Sequence, residues 1–321
     1  MILSIIAIIL GFGGLIWSAD QFVSGAAGIA RNMGMAPIMI GLTIVALGTS
    51  APEILVAISA SIENSGDLAV GNAIGSNLAN IGLVLGITAL IAPITIPKTL
   101  LRREIPILVA VTLAAALLLQ DHTLSVMDGI ILLTILTGVF LYLIYSKSHQ
   151  PDAEHEAGVE DIPDMAQNKA WLLFVVGLVL LIISSEVLVW GAKDIATAMG
   201  VSELIIGLTV VAVGTSLPEL AATIASALKG HHDLALGNVV GSNLFNLLAV
   251  MAVPALIQQP VLAAEAFNRD YLSMTGITLL LAILIYIHLS LTKNDGIKRI
   301  TRAEGGLLFF CYAAYYYFLF G

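Results

Sequence analysis

Long apolar runs separated by short polar, proline or glycine breaks cover almost the whole chain. The runs are continuous rather than alternating, which is typical of membrane-spanning helices and not of β-barrel strands. The breaks divide them into ten predicted spans. These cover residues 2–31, 37–62, 67–92, 104–120, 124–146, 169–197, 203–228, 233–258, 270–291 and 303–320. The pattern therefore predicts an all-α membrane protein with ten transmembrane helices.

Composition supports this class and excludes a water-soluble globule. Of the 321 residues, 59% are hydrophobic and 11% are charged, whereas soluble domains average about 45–50% apolar and about 25% charged residues. Ten spans of roughly 20 residues each leave no room for a separate soluble domain. The single cysteine, Cys311, excludes an intramolecular disulfide and a thiolate metal cluster.

One hydrophilic stretch divides the chain into halves with five predicted spans each. Residues 1–146 form the first half, residues 147–168 an acidic linker and residues 169–321 the second half. The linker carries six acids, and we interpret it as a solvated cytoplasmic tether. These acids are Asp152, Glu154, Glu156, Glu160, Asp161 and Asp164.

The distribution of lysine and arginine predicts the orientation in the membrane, because cytoplasmic loops carry an excess of these residues. The side that holds the N-terminus keeps only Lys193 and Arg269. We therefore expect both termini on the periplasmic side of a bacterial inner membrane. The opposite, cytoplasmic side holds Arg31, Lys98, Arg102, Arg103, Lys147, Lys169, Lys229, Lys293, Lys298, Arg299 and Arg302.

The two halves contain an internal repeat. GLTIVALGTSAPE at 41–53 recurs as GLTVVAVGTSLPE at 207–219, and GNAIGSNLANIGLV at 71–84 recurs as GNVVGSNLFNLLAV at 237–250. In both motifs the second copy follows the first at the same spacing in residues, and about 24 of 50 aligned positions are identical. Because each half has an odd number of spans, the second half must enter the membrane upside down. Inverted repeats of this kind are typical of secondary transporters, with the substrate site near the bilayer midplane.

Two repeated acids, Glu53 and Glu219, lie well inside apolar spans. An ionisable group there costs about 2.5–3.5 kcal/mol or more and usually faces a cavity with a partner. Neither motif contains a lysine or an arginine. The missing positive charge is therefore interpreted as a bound cation.

Hydroxyl groups accompany both acids at helical spacing. Thr49 and Ser50 precede Glu53 by four and three residues, so they are predicted to share its helical face, and Thr215 and Ser216 stand in the same relation to Glu219. Each acid also directly follows a proline, which removes the helical partner of a carbonyl group four residues before it. These carbonyls belong to Gly48 and Gly214. Such oxygen atoms are ligands for Ca²⁺ and also suit Na⁺.

The second motif adds an amide and a hydroxyl on one helical face in each half. Ser76 and Asn80 are four residues apart, as are Ser242 and Asn246. Their duplication favours a ligand role for both asparagines. Two further pairs receive weaker interpretations. Asn77 and Asn243 are predicted to cap or brace the backbone, and Asp20 and Glu186 are candidates for an ion entrance.

In combination, these motifs resemble the two alpha repeats of the calcium/cation antiporter superfamily, specifically bacterial sodium/calcium exchanger-like inner-membrane proteins. The resemblance covers essentially the whole chain. It implies that the long first and sixth helices slide against an eight-helix core and expose the site alternately. It implies four central ligands, Glu53, Asn80, Glu219 and Asn246. It further implies that Thr49, Ser50, Ser76, Thr215, Ser216 and Ser242, with carbonyls near Ala46 and Ala212, complete the Na⁺ and Ca²⁺ sites.

One position departs from some members of that superfamily, because several carry aspartate where this chain has Asn246. Two glutamates give the site a charge of about −2, which matches one Ca²⁺ without a further proton. The amide therefore bears on the number of Na⁺ ions bound and on whether K⁺ or H⁺ takes part.

The sequence thus predicts a secondary active antiporter that exchanges Ca²⁺ for Na⁺ by alternating access. The ions are its substrates and the bilayer its environment; no cofactor, nucleic acid or obligate protein partner is expected. A calcium exchanger coupled to H⁺ or K⁺ is the nearest alternative. A channel and an intramembrane hydrolase are less favoured, because the acids are surrounded by donors suited to an ion rather than to water activation.

Overall fold

The computed structural model describes residues 1–97, 100–148, 164–200, 212–291 and 298–320. Most of the predicted acidic linker and the start of the seventh predicted span, 203–211, lie outside these ranges. The first part contains α1 (Ile2–Asn32), α2 (Pro37–Thr49), α3 (Ala51–Ile62), α4 (Gly66–Ile91), α5 (Ile105–Leu119) and α6 (Val126–Ser148). The second contains α7 (Gln167–Ala198), α8 (Ala212–Thr215), α9 (Leu217–Leu228), α10 (His232–Ile257), α11 (Leu272–Leu291) and α12 (Arg302–Phe320).

Six helices among the described residues, α1, α4, α6, α7, α10 and the helix containing α11, are long and apolar enough to cross a membrane. The number becomes seven if α2 and α3, which meet at a bend of 43°, form one span. The all-helical membrane class is therefore confirmed, whereas the count of ten spans stays a prediction. The orientation also stays a prediction, and two of its lysines, Lys98 and Lys293, lie outside the described ranges.

The sequence repeat is also a repeat of local structure. The bounds of α3 and α4 recur in α9 and α10 at the spacing of the sequence motifs. Matching turns of π-helix, which aim side chains differently from an α-helix, also recur. One pair begins at Asn80 and Asn246, inside α4 and α10. The other pair, Leu100–Glu104 and Ala266–Tyr271, precedes α5 and α11.

Helices α1 and α7 pack side by side in opposite directions. A Cβ atom on Gly11 would lie against Leu188, and one on Gly25 against Phe174, so residue numbers rise along one helix as they fall along the other. Small residues permit this close approach, as is common between membrane helices. The rings of Phe22 and Phe174 stack with their centroids 4.8 Å apart.

Helix α10 is largely buried and packs against α2. Gly41 of α2 lies against Gly237, and Gly241 lies against Leu42 and Ala46. Because these glycines lack side chains, the backbones of the two helices come close together. This contact between the halves carries the end of α2, and therefore Thr49, to the polar face of α10.

A small sheet and a bridge connect loops outside the helices. Strand β1 (Ile94–Thr95) pairs antiparallel with β2 (Arg299–Ile300), with Ile94 opposite Ile300. An isolated antiparallel bridge joins Thr123 to Val261. Each connection ties a loop of the first half to a segment of the second half, so the two halves are joined outside the helices as well as within them.

Candidate functional site

The two repeated glutamates occupy equivalent places in the fold. Glu53 lies in the first turn of α3 and Glu219 in the first turn of α9, each directly after a proline. A carboxylate is favoured at this end of a helix, where unpaired N–H groups carry partial positive charge. Both side chains are only 1% exposed. Within the described residues, neither forms an ion pair with a basic side chain.

Hydroxyl groups bring the two carboxylates into one site. The Ser50 hydroxyl of the first half donates to Glu219 Oε1 of the second half at 3.4 Å. The Thr49 hydroxyl also lies near Glu219, and the Ser76 hydroxyl lies near Glu53. The two carboxylates are close enough to interact electrostatically. The structure therefore brings together acids and hydroxyls from both halves.

Thr49, Ser50 and Glu53 do not lie on one uninterrupted helix, and their predicted common face stays a prediction. The helix does not continue through the motif, because Ser50 has φ −83° and ψ 6° and separates α2 from α3. At this break, the Ser50 hydroxyl contacts Glu219 of the second half. Spacing along one helix could not reveal this, because the partners come from the other repeat.

Both predicted asparagine ligands are buried at the same centre of the fold. Asn80 is 1% exposed and Asn246 is 0% exposed, and each opens a turn of π-helix. Burying a polar atom without a hydrogen-bond partner costs about 1–3 kcal/mol. Several such atoms together therefore indicate a binding site for a polar ligand or an ion. Among the described residues, the buried side-chain atoms without a hydrogen-bond partner include Glu53 Oε2, Glu219 Oε2, Asn80 Nδ2, Asn246 Nδ2, Asn246 Oδ1 and Ser216 Oγ.

The remaining predicted ligands are distributed unequally. The Thr49 hydroxyl oxygen lies 3.4 Å from the Ser242 hydroxyl oxygen and 3.4 Å from the Ala46 carbonyl oxygen, so these three residues form one set. In the second half, Thr215 is partly exposed at the end of α8, and Ala212 opens that helix. Thr49 is thus more deeply buried than its counterpart Thr215.

The carbonyl freed by Pro218 has a different partner from the one predicted. The Gly214 carbonyl accepts a hydrogen bond from the Ser185 hydroxyl of α7 at 2.9 Å. One of its lone pairs is therefore used to hold α7 against the break between α8 and α9, rather than being left for an ion. The sequence identifies this carbonyl but not the residue that reaches it.

The predicted bracing role is confirmed for Asn77, because its amide donates to the backbone carbonyl of Asn243 at 3.3 Å. The same prediction is wrong for Asn243, because among the described residues its side-chain Oδ1 and Nδ2 are buried without a hydrogen-bond partner. Asp20 pairs with Lys229, whose Nζ lies 2.7 Å from Asp20 Oδ1. The role of Asp20 and Glu186 at an ion entrance stays a prediction.

Sequence reasoning missed two buried residues that contact the site. Asn238 accepts a hydrogen bond from Thr49 at 3.1 Å and donates one to Thr223 at 3.0 Å. Asn238 belongs to the repeated Gly-Asn pair that opens the second motif, which was the available signal. Thr223 gave no such signal, because its counterpart in the first half is Ala57.

The chain has relatives along its full length. The family described as sodium/calcium exchanger protein matches residues 3–146 and 169–321. CaxA of Alkalimonas amylolytica, which is provisionally named an antiporter, is 44% identical to this chain. The match covers 100% of this chain and 99% of CaxA. The inner membrane protein YrbG of Escherichia coli K12 is 37% identical over 89% of this chain and 90% of its own.

A solved structure extends the similarity to the fold. The sodium-calcium exchanger NCX_Mj, from a crystal soaked without Na⁺ and Ca²⁺, superposes with a TM-score of 0.83 at 32% identity. The match covers 98% of this chain and 97% of that protein. Family and fold agree with a transporter of cations, not with an enzyme. The chain belongs to the sodium/calcium exchanger family.

Proposed function

We propose that the protein is a secondary active antiporter that exchanges Ca²⁺ for Na⁺ across the bacterial inner membrane. The observation that carries this proposal is the meeting of Glu53 and Glu219. Both are 1% exposed, both have a carboxylate oxygen without a hydrogen-bond partner in the described residues, and neither has a basic counter-ion there. Two buried negative charges in such surroundings need positive charge from a bound substrate.

The ligand set suits hard, exchangeable cations. Two carboxylates supply about −2, and the surrounding hydroxyl, amide and carbonyl oxygens are neutral, a combination that fits one Ca²⁺ or two Na⁺. Within the described residues, no group of three His, Cys, Asp or Glu side chains is placed to hold a metal. We assign the central ligand role to Glu53, Asn80, Glu219 and Asn246. The supporting oxygens are those of Thr49, Ser50, Ser76, Thr215, Ser216, Ser242, Ala46 and Ala212.

Alternating access follows from the same arrangement. We propose ten spans in two halves of opposite orientation, and the antiparallel packing of α1 and α7 supports that inversion. In this mechanism α1 and α7 move together against the remaining helices and open the site to one side at a time. An empty site leaves two repelling buried carboxylates, so reorientation without ions is too costly and transport becomes an obligatory exchange.

The test is Ca²⁺ flux in proteoliposomes with Na⁺, K⁺ or H⁺ gradients imposed one at a time. We expect the Na⁺ gradient to drive Ca²⁺ movement. Flux driven only by K⁺ or H⁺ would replace the proposed coupling ion by the nearest alternative, and conductance without any counter-ion would indicate a channel.

The ligand assignment is tested by Glu53→Gln and Glu219→Gln, each expected to abolish Ca²⁺ flux. Glu63→Gln is the matched control, because Glu63 is exposed just after the end of α3, and it should keep wild-type flux. Retention of normal flux by both site variants would overturn the proposal.

A further inference from the structure

We infer that Thr223 and Asn238 are positioning residues that hold the Thr49 hydroxyl in the orientation that accepts Na⁺. This inference deepens the proposed function and rests on it. It identifies which of the two related groups of neutral oxygens binds the monovalent ion more tightly, and it assigns the difference to a hydrogen-bond chain that only the second half can form.

The chain of hydrogen bonds has a defined direction. Asn238 donates through Nδ2 to the Thr223 hydroxyl at 3.0 Å, which leaves its Oδ1 to accept from the Thr49 hydroxyl at 3.1 Å. Thr223 and Thr49 are 0% exposed and Asn238 is 1% exposed, so water does not compete for these bonds. The amide is thereby fixed at both ends.

This direction determines what Thr49 offers to an ion. A hydroxyl has one proton and two lone pairs. While the proton is given to Asn238, it is not available to the Glu219 carboxylate, with which Thr49 also interacts. The lone pairs of the Thr49 oxygen then stay available to an ion that also contacts Glu219 and the Ala46 carbonyl oxygen, which lies 3.4 Å from the Thr49 oxygen. One carboxylate with neutral oxygens matches a monovalent cation better than a divalent one.

The first half lacks the equivalent anchor. The counterpart of Asn238 is Asn72, and the counterpart of Thr223 is Ala57, which has no hydroxyl. In the described residues, Asn72 Nδ2 is buried without a hydrogen-bond partner. The repeat therefore duplicates the asparagine but anchors only one copy, and the two Na⁺ subsites are unequal.

Without the anchor, Asn238 is free to rotate and Thr49 can turn its proton toward Glu219, where it competes with the cation. Loss of a residue that orients a ligand typically lowers metal affinity by about 10–100-fold. We expect about a tenfold increase in the Na⁺ concentration needed for half-maximal effect. The Ca²⁺ concentration needed for half-maximal effect should change by less than about threefold, because Ca²⁺ binding relies mainly on the two carboxylates.

The variant Thr223→Ala tests this, since it copies the residue of the first half. Thr223→Val keeps the shape and removes only the hydroxyl, and it serves if the smaller side chain impairs folding. Thr223→Ser should restore the wild-type response. Ser226→Ala is the matched control, because Ser226 is a buried hydroxyl of the same helix that donates to the Ala222 carbonyl of that helix at 2.8 Å, its one side-chain partner among the described residues.

The readout is thermal unfolding of the purified full-length protein during separate Na⁺ and Ca²⁺ titrations, since a ligand that binds only the folded state raises its stability by RT ln(1 + [L]/Kd). Fitting this dependence gives the half-saturating concentration, or midpoint, of each ion. In Thr223→Ala and Thr223→Val we expect the Na⁺ midpoint to shift while the Ca²⁺ midpoint stays nearly unchanged. Ser226→Ala and Thr223→Ser should both keep the wild-type Na⁺ midpoint. Equal Na⁺ midpoints in Thr223→Ala, Thr223→Val and wild type would overturn the inference. Absence of any cation protection in the wild-type protein would instead refute the proposed function.

Discussion

Lys229 Nζ lies 2.7 Å from Asp20 Oδ1 and also donates to the Ser24 hydroxyl at 2.6 Å. The interaction joins the end of α9 to the middle of α1, one of the two helices proposed to move. In the sequence repeat, Asp20 corresponds to Glu186 and Lys229 corresponds to Glu63. The equivalent contact in the other half would bring two acids together, so the repeat provides no matching ion pair to stabilise the opposite orientation of the carrier.

Lys229→Ala should therefore destabilise this conformation relative to the opposite orientation of the carrier. A partly exposed ion pair contributes about 0.2–1 kcal/mol, so the ratio of the two orientations should change by about 1.4- to 5-fold. The measurement is the Ca²⁺ exchange rate in both directions across oriented proteoliposomes. The control is the double variant Asp20→Lys with Lys229→Asp, which exchanges the two charges. If its Ca²⁺ exchange rates were no closer to wild type than those of the single variants Asp20→Lys and Lys229→Asp, the interpretation would be contradicted.

Ser185→Ala should loosen the attachment of α7 to the break before α9. The variant removes the donor to the Gly214 carbonyl, and hydrogen bonds within membranes average about 0.6 kcal/mol with a maximum near 1.7 kcal/mol. A small decrease in thermal stability is expected, together with a changed exchange rate. Thr197→Val is the control, since that α7 hydroxyl donates to the Lys193 carbonyl of its own helix and to no other helix among the described residues. Identical exchange rates in Ser185→Ala and wild type would show that this bond does not influence the transport cycle.

Gly177→Ala should separate α1 from α7. A Cβ atom at this position would lie 2.5 Å from the backbone nitrogen of Phe22, and overpacking of this kind costs about 1–3 kcal/mol. We expect a lower thermal unfolding temperature and reduced Ca²⁺ flux. Gly13→Ala is the control, because a Cβ atom there would meet nothing within 4 Å, and it should unfold at or above the wild-type temperature.

Asn246→Asp should strengthen Na⁺ binding and make transport sensitive to acid. A third carboxylate near Glu53 and Glu219 adds attraction for cations, while an empty site with three acids takes up a proton. Two unit charges 4 Å apart interact by about 4 kcal/mol at an effective dielectric constant near 20, and desolvation opposes most of this gain. We expect the half-maximal Na⁺ concentration to fall by about tenfold, measured by Ca²⁺ flux at several pH values. Asn64→Asp, in an exposed turn, should leave both properties unchanged.

Much of the fold could be predicted from the sequence because its signals are local. Continuous apolar runs predict helices, and the prolines beside Glu53 and Glu219 predict the breaks that the structure has at Ser50 and Ser216. The repeat spacing also identifies both buried acids and both buried asparagines. These conclusions need only hydropathy, proline geometry and the cost of a charge in an apolar environment.

Tertiary structure decided which groups meet. Pairing of the Ser50 hydroxyl with Glu219, use of the Gly214 carbonyl by Ser185, and anchoring of Thr49 through Asn238 all join residues from different helices. A repeated sequence states that two positions are equivalent, but it does not state which partners surround each copy. Ala57 and Thr223 occupy equivalent positions with different side chains, and only the packing of α9 against α10 gives that difference a physical consequence.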